Sequence, residues 1–229
     1  MPTLLTPTET DAILLSLRVA LVATVALLPL AFALAWVLAR KSFPGKSVLD
    51  ALVLLPLVMP PVVTGYLLLL AFGPNGPVGQ LLASVGISVA FRWTGAAVAA
   101  AIMALPLVVG ALRLAIEAVD PRLEGVARTL GASRARVFRT VTLPLTLPGI
   151  VAGAVLGFAK ALGEFGATQT FVSSIPGETQ TMPLAINALL QVPGQEPAVL
   201  RLLLLSIGIA FVALLAAQPL SRFAAAHRK

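Results

Sequence analysis

The chain has no cysteine and only one histidine among its 229 residues. The first absence excludes disulfides and thiolate metal sites. The histidine, His227, stands in a basic tail, and no acid–base pair or metal-ligand cluster is found elsewhere. No G-x-x-x-x-G-K-[ST] phosphate loop occurs, so the chain carries no nucleotide site of that kind. Charge is also scarce, at 11% of residues, against roughly 25% in a soluble domain. A chain so poor in charge cannot cover a water-facing surface. With 59% hydrophobic residues and a mean hydropathy of +1.00, it reads as an integral membrane protein. Residues 1–12, "MPTLLTPTETDA", lack a basic n-region and a small-residue cleavage site, so no cleaved signal peptide is expected.

What the chain does have is long apolar runs. A spanning helix needs about 20 mostly apolar residues. Five runs qualify, at about 12–39, 48–72, 93–112, 149–171 and 200–218. An odd number places the termini on opposite sides. The net charge of +7 would suggest nucleic acid in a soluble protein, but here the basic residues flank the spans. Arg40, Lys41 and Lys46 follow the first span. Arg113, Arg122, Arg128, Arg134, Arg136 and Arg139 follow the third, and Arg222, Arg228 and Lys229 the fifth. That places 12 of the 16 basic residues on one side. The other side holds Arg92 and Arg201 with Glu9, Asp11, Glu178 and Glu196. The positive-inside rule makes the basic side cytoplasmic, the N-terminus external and the C-terminus internal. Orientation then accounts for the basic residues, and no nucleic-acid partner is expected.

Two cations fall inside spans. Arg18 lies near the outer end of the first, where it can snorkel to the interface. Lys160 precedes Glu164 by four residues, so the two can meet on one helix face. That pair reads either as a simple ion pair or as a functional site, since an intramembrane carboxylate is costly. The external loops, about 73–92 and 172–199, carry Gly-Pro turns. The second also contains "LAINALLQV", too short to span, which reads as an external gate or docking element or as a helix at the interface. "LPLVMPPVVTG" and "LPLTLPGIVAG" share L-P-L-x-x-P with a glycine at the same offset, and each opens a span. Prolines there permit kinks, so both helices are expected to bend near their cytoplasmic ends during alternating access.

The cytoplasmic loop of about 113–147 is far longer than a connection requires. Asp120-Pro121 reads as a helix start, and Leu123, Ala127 and Leu130 recur on one apolar face. Gly131 reads as a C-terminal stop and Ser133 as a second cap, after which Pro144 should break the second helix and Pro148 start the next span. Two short helices with a glycine corner suit either a surface touching anionic lipid or an element that docks on a cytoplasmic partner.

This loop resembles the E-A-A, three residues, G, nine residues, I-x-L-P motif of ATP-binding cassette importer permeases. The matching residues are Gly125-Val126-Ala127, Gly131 and Val141-Thr142-Leu143-Pro144. Gly125 stands at the acidic position, Val126 at the first alanine and Val141 at the isoleucine, with Glu124 one residue before the motif. "SFPGK", "LPLVMPPVVTGYLLL" and "LGEFGATQTFVSSIPGETQTMPLAI" extend the resemblance over nearly the whole chain. They look like the molybdate branch of that family, with sulfate permeases close by.

The resemblance implies an all-α, type I importer permease fold, one domain over 1–229, in a bacterial inner membrane. It implies a homodimer with two cytoplasmic ATP-binding cassette subunits, which use ATP-Mg, and an external oxyanion-binding protein. This chain would bind no cofactor or metal and would not be an enzyme. Glu124, Gly125, Val126, Ala127, Gly131, Leu143 and Pro144 are the expected ATPase-coupling residues. Polar groups able to face a water-filled path are Thr64, Gly65 and Tyr66 in the second span and Thr168, Gln169 and Thr170 in the fourth. Glu164, which would repel a dianion, is expected to be structural, paired with Lys160. The alternatives are a sulfate or thiosulfate permease and a stand-alone secondary transporter. The latter should show inverted repeats and midplane charges, which five spans with one intramembrane carboxylate do not supply.

Overall fold

The computed structural model describes residues 5–226, with side chains described as far as residue 215. The leader reading at residues 1–4, and His227, Arg228, Lys229 and the side chain of Arg222, lie outside the described residues. All regular structure among the described residues is helical.

Helix α1 (Pro7–Arg40) opens on a capping box: Thr6 accepts from the Glu9 N–H, and the Glu9 carboxylate accepts from the Thr6 N–H. Its 34 residues rise about 51 Å at 1.5 Å each, more than a hydrocarbon core of about 30 Å requires. Helix α5 (Trp93–Glu117) has 25 residues and is the most buried of the spans. It packs along both α1 and α8 (Leu143–Leu162). Helix α11 (Glu196–Ala226) lies against α8.

The α5 contact face is built from small residues. Ala96, Ala97, Ala99, Ala100 and Ala104 are all buried. Further along α5, against α8, a Cβ on Gly149 would collide with that of Ala115, and one on Gly157 would lie 2.9 Å from Val108 Cγ2. Within a bilayer, helices gain from close van der Waals approach rather than from hydrophobic burial, and small residues allow it.

The second span is not one rod. It is helix α2 (Lys46–Val58) followed by α3 (Pro61–Phe72), bent by 113°. Pro60 and Pro61 both lack an N–H, and the residue before a proline is driven out of the helical region. Met59 sits accordingly at φ −71°, ψ 144°. Helix α4 (Pro77–Ala83) is a short turn of helix beyond α3.

The fourth span is also divided. Helix α8 stops at Leu162, and α9 (Gly166–Val172) is a separate helix against α3 and α5. The expected break at Pro144 is absent. Helix α6 (Pro121–Thr129) and α7 (Arg134–Val137) form the hairpin, but α7 runs through a π-helical turn, Phe138–Thr142, straight into α8. The Leu143 N–H donates to the Phe138 carbonyl, one residue further back than in an α-helix. That wider turn accommodates Pro144 without ending the helix. Of the two L-P-L-x-x-P segments, then, one is sharply bent and the other is part of a continuous helix, Arg134–Leu162. Among the described residues four helices are long and apolar enough to span alone, and the count is five when the bent α2–α3 pair is taken as one span.

Helix α10 (Met182–Leu189) does not lie apart at a surface. It packs on α1 and α11, and the Met182 N–H donates to Ser16 Oγ at 2.6 Å. Arg18 is held by stacking: its guanidinium carbon lies 3.8 Å from the centre of the Trp93 ring.

The small-residue contact makes a prediction. Gly157→Val should destabilise the chain by about 1–3 kcal/mol, the usual cost of overpacking. It should lower the apparent melting temperature in detergent by several degrees. Gly110→Ala, where a Cβ would meet open space, should not lower it.

Candidate functional site

The hairpin begins where Asp120 accepts from the Arg122 N–H at 2.8 Å. It turns at Gly131, whose φ of +85° is a left-handed value that glycine adopts freely. Ser133 then accepts from the Arg136 N–H at 3.3 Å. Leu123, Val126 and Leu130 are all exposed, the last at 82%, while Ala127 and Gly125 are half-buried and Gly131 exposed. The outward apolar face is therefore Leu123–Val126–Leu130. Ala127, expected on that face, is partly covered.

Glu124 points the other way. It is buried, and its Oε1 accepts from Arg40 Nη2 at 3.2 Å and from Thr142 Oγ1 at 2.8 Å. Arg128 lies 3.6 Å from the second oxygen. Arg40 also donates to the Val119 carbonyl at 3.2 Å. One carboxylate thus ties the hairpin to the end of α1 and to the π turn. Phe138 in that turn packs edge-on against Trp36 and Phe32, at 5.6 Å and 6.0 Å between ring centres. Leu143 and Pro144 lie just past the turn, in the first residues of α8. Nearby, Arg113 bridges Asp50 of α2 at 3.1 Å and Glu117 at 2.9 Å. These links join residues 84 and 63 positions apart. Sequence reading missed them because charge patterning reports only neighbours on one helix.

The opposite end of the bundle has its own lock. Glu9, 4% exposed, accepts from Arg201 at 2.7 Å, joining α1 to α11 beside a cavity of about 360 Å³ that Gln180 and Gln195 also line. Charged groups thus gather at the two ends and leave the layer between them apolar but for a few side chains.

In that middle layer, α3 and α9 cross closely. A Cβ on Gly65 would lie 2.5 Å from the Ala167 carbonyl and 2.9 Å from Thr170 Cβ, and one on Gly166 would lie 2.8 Å from Pro61 Cβ. The six expected path residues therefore sit on two adjoining half-helices. Thr64 is buried with an unpartnered hydroxyl, Tyr66 is about half exposed, and Gln169 is half-buried. Thr168 is buried, and the Thr170 hydroxyl donates to the Gly166 carbonyl of its own helix at 3.0 Å. At the α8–α9 break, the Lys160 ammonium donates to Glu164 Oε2 at 2.7 Å. The other oxygen of Glu164 accepts from the Ala167 N–H at 3.1 Å, so this carboxylate caps the first turn of α9.

A helical bundle with paired broken spans and a projecting hairpin is the architecture of an integral membrane transport subunit. The chain resembles solved structures of that class. One is a bacterial ABC transporter involved in import of the acidic polysaccharide alginate, with a TM-score of 0.74 at 19% identity over 95% of this chain and 80% of that one. Another is the inward-facing MetNI methionine ABC transporter, with a TM-score of 0.67 at 15% identity over 94% of each chain. Residues 17–223 match the binding-protein-dependent transport system inner membrane component family, and the chain belongs to it. Its sequence is 54% identical to the molybdenum transport system permease protein ModB of Escherichia coli K12 over 96% of both chains. It is 45% identical to ModB of Mycobacterium tuberculosis over 91% of this chain and 79% of that one. The sulfate transport system permease protein CysT of Salmonella typhimurium is 42% identical over 69% of this chain and 57% of its own.

Removing the Glu124 carboxylate should release the hairpin. Glu124→Ala leaves Arg40 and Thr142 without their partner, at a local cost of about 1–3 kcal/mol for unmade buried hydrogen bonds. Hydrogen exchange read by mass spectrometry should quicken across residues 121–142 and stay unchanged in α5.

Proposed function

We propose that this chain is the membrane-spanning subunit of an ATP-driven importer that carries molybdate, or tungstate, into the cytoplasm of a bacterium. The observation that carries the reading is end-to-end similarity to molybdenum permeases in a chain whose hairpin presents an exposed apolar face. The whole chain, 1–229, acts as one permease domain in the inner membrane. The basic end faces the cytoplasm, in keeping with the charge asymmetry, with the N-terminus outside and the C-terminus inside.

Two copies of the chain form the path. Two ATP-binding cassette subunits dock on the hairpins through Leu123, Val126 and Leu130, with Gly125, Ala127 and Gly131 shaping the contact and Leu143 and Pro144 leading from it into the span. Glu124 holds the hairpin in place from behind. Hydrolysis of ATP-Mg falls to those partners, and this chain is no enzyme and binds no cofactor. An external binding protein delivers the oxyanion. The path runs by the α3–α9 crossing, where Thr64, Gly65, Tyr66, Thr168, Gln169 and Thr170 supply hydroxyl, amide and backbone donors. Several weak donors suit passage, since a strong site would trap the ion. The Lys160–Glu164 pair stabilises the break between α8 and α9.

The test is uptake by vesicles holding the full complex with its binding protein. Molybdate should enter only with internal ATP, with tungstate competing at similar concentrations and sulfate at much higher ones. Sulfate uptake that outcompetes molybdate would assign the chain to the sulfate branch, and uptake without an ATPase subunit would overturn the reading. Leu130→Asp should abolish co-purification with the ATPase subunit, because it places a charge in the centre of the docking face.

A further inference from the structure

Lys160 has a second property beside its pairing. Gly149, Gly153 and Gly157 lie in turn against Ala115, Leu112 and Val108 of the antiparallel α5, and Gly157 also faces Thr24 of α1. One more turn puts Lys160 level with the middle of α5, whose 25 residues run from Trp93 to Glu117. Thr24 is likewise near the middle of α1. The lysine therefore stands at mid-depth of the spanning layer.

At that depth the Glu164 side chain is 2% exposed, but that of Lys160 is 30% exposed. The carboxylate is fully engaged, with one oxygen on α9 and the other on the ammonium. The ammonium has three N–H donors and makes a single described hydrogen bond. It continues a line on α8 in which Ala152 and Leu156 are exposed and Lys160 is partly exposed, and which leads to the exposed Gly163 just past the helix end. The neighbouring line, Gly153, Gly157 and Ala161, about 100° round the helix, is buried. The uncovered line runs to the α8–α9 break, where Gly166 meets Pro61 at the start of α3. A charge at mid-depth faces a water-filled space or a partner rather than lipid. Here the negative member of the pair is buried and the positive one is presented.

We propose that Lys160 is the cation that contacts the oxyanion at the midpoint of its path, offering its free N–H donors to a tetrahedral dianion, while Glu164 orients it and weakens its hold. This rests on the transport reading above. Partial neutralisation by Glu164 suits transit, because a bare ammonium in a low-dielectric site would bind a dianion too firmly to release it.

The chain's lack of cysteine permits a direct test. In the assembled complex, Lys160→Cys should cut ATP-dependent molybdate uptake at least tenfold. Its thiol should react with a water-soluble aminoethyl thiosulfonate, which restores a positive charge and most of the uptake. A sulfonatoethyl reagent, of opposite charge, should not restore it. Lys160→Arg should retain uptake within about threefold, and Lys160→Gln combined with Glu164→Gln should stay at least tenfold low while still co-purifying with the ATPase. Restored uptake in the double variant would show the pair to be purely structural and overturn the proposal. So would a thiol that neither reagent reaches. If instead the unaltered complex moves no molybdate, the transport reading fails, and thiol accessibility still reports whether position 160 faces water.

Discussion

The close packing of α5 between α1 and α8 is the constraint on which the rest of the structure depends. Lipid offers no hydrophobic gain for bringing two helices together, so the bundle must win its stability from contact at short range. Alanines on α5 and glycines on α8 remove the side chains that would hold the backbones apart. The same contact sets the axial register of the helices. That register carries Arg40, Asp50, Arg113 and Glu124 to one end and Glu9 and Arg201 to the other. It also leaves Lys160 in between. Ion pairs at the ends lock the arrangement, and they do so where water still lowers the cost of charge.

Against this rigid core, the breaks at Pro60-Pro61 and at residues 163–165 stand out as controlled exceptions. In hydrocarbon an open backbone group is costly, and irregular chain survives only where protein or trapped water satisfies it. The two breaks use different devices. Prolines remove donors at the start of α3, so fewer N–H groups need partners there. At α9 the Glu164 carboxylate supplies an acceptor to the Ala167 N–H. Because Gly65 and Gly166 let the two half-helices touch, each break also closes against the other. This is why polar residues of two distant segments meet on one pair of helices.

Local chemistry was legible in the sequence, and long-range chemistry was not. The caps at Asp120 and Ser133, the corner at Gly131 and the Lys160–Glu164 approach all lie within four residues, and the structure forms each of them. Hydropathy located the spans because the bilayer length filters them. It could not tell that 48–72 is bent, since apolar content is the same in a straight helix and a broken one. Pro144 shows the converse: a proline signals a missing hydrogen bond, but whether the helix ends or widens depends on what holds the next turn. Here Thr142 is held by Glu124 and Phe138 by Trp36 and Phe32, and none of these partners is within reach of a local rule. Glu124, one residue before the motif, is expected from the sequence among the coupling residues, and its geometry makes it the strut behind the hairpin.

The continuity of Arg134–Leu162 has a mechanical consequence. Twenty-nine residues make a rod of about 43 Å at 1.5 Å per residue, with the hairpin at one end and the Lys160–Glu164 pair at the other. A rod passes on a displacement only if nothing along it yields, and π turns are natural weak points. One weak point in this rod, Phe138–Thr142, is braced on both sides. Thr142 is bonded to the Glu124 carboxylate, and Phe138 is packed into the aromatic cluster of α1. Force applied to the hairpin therefore enters the rod through the same residues that stiffen it.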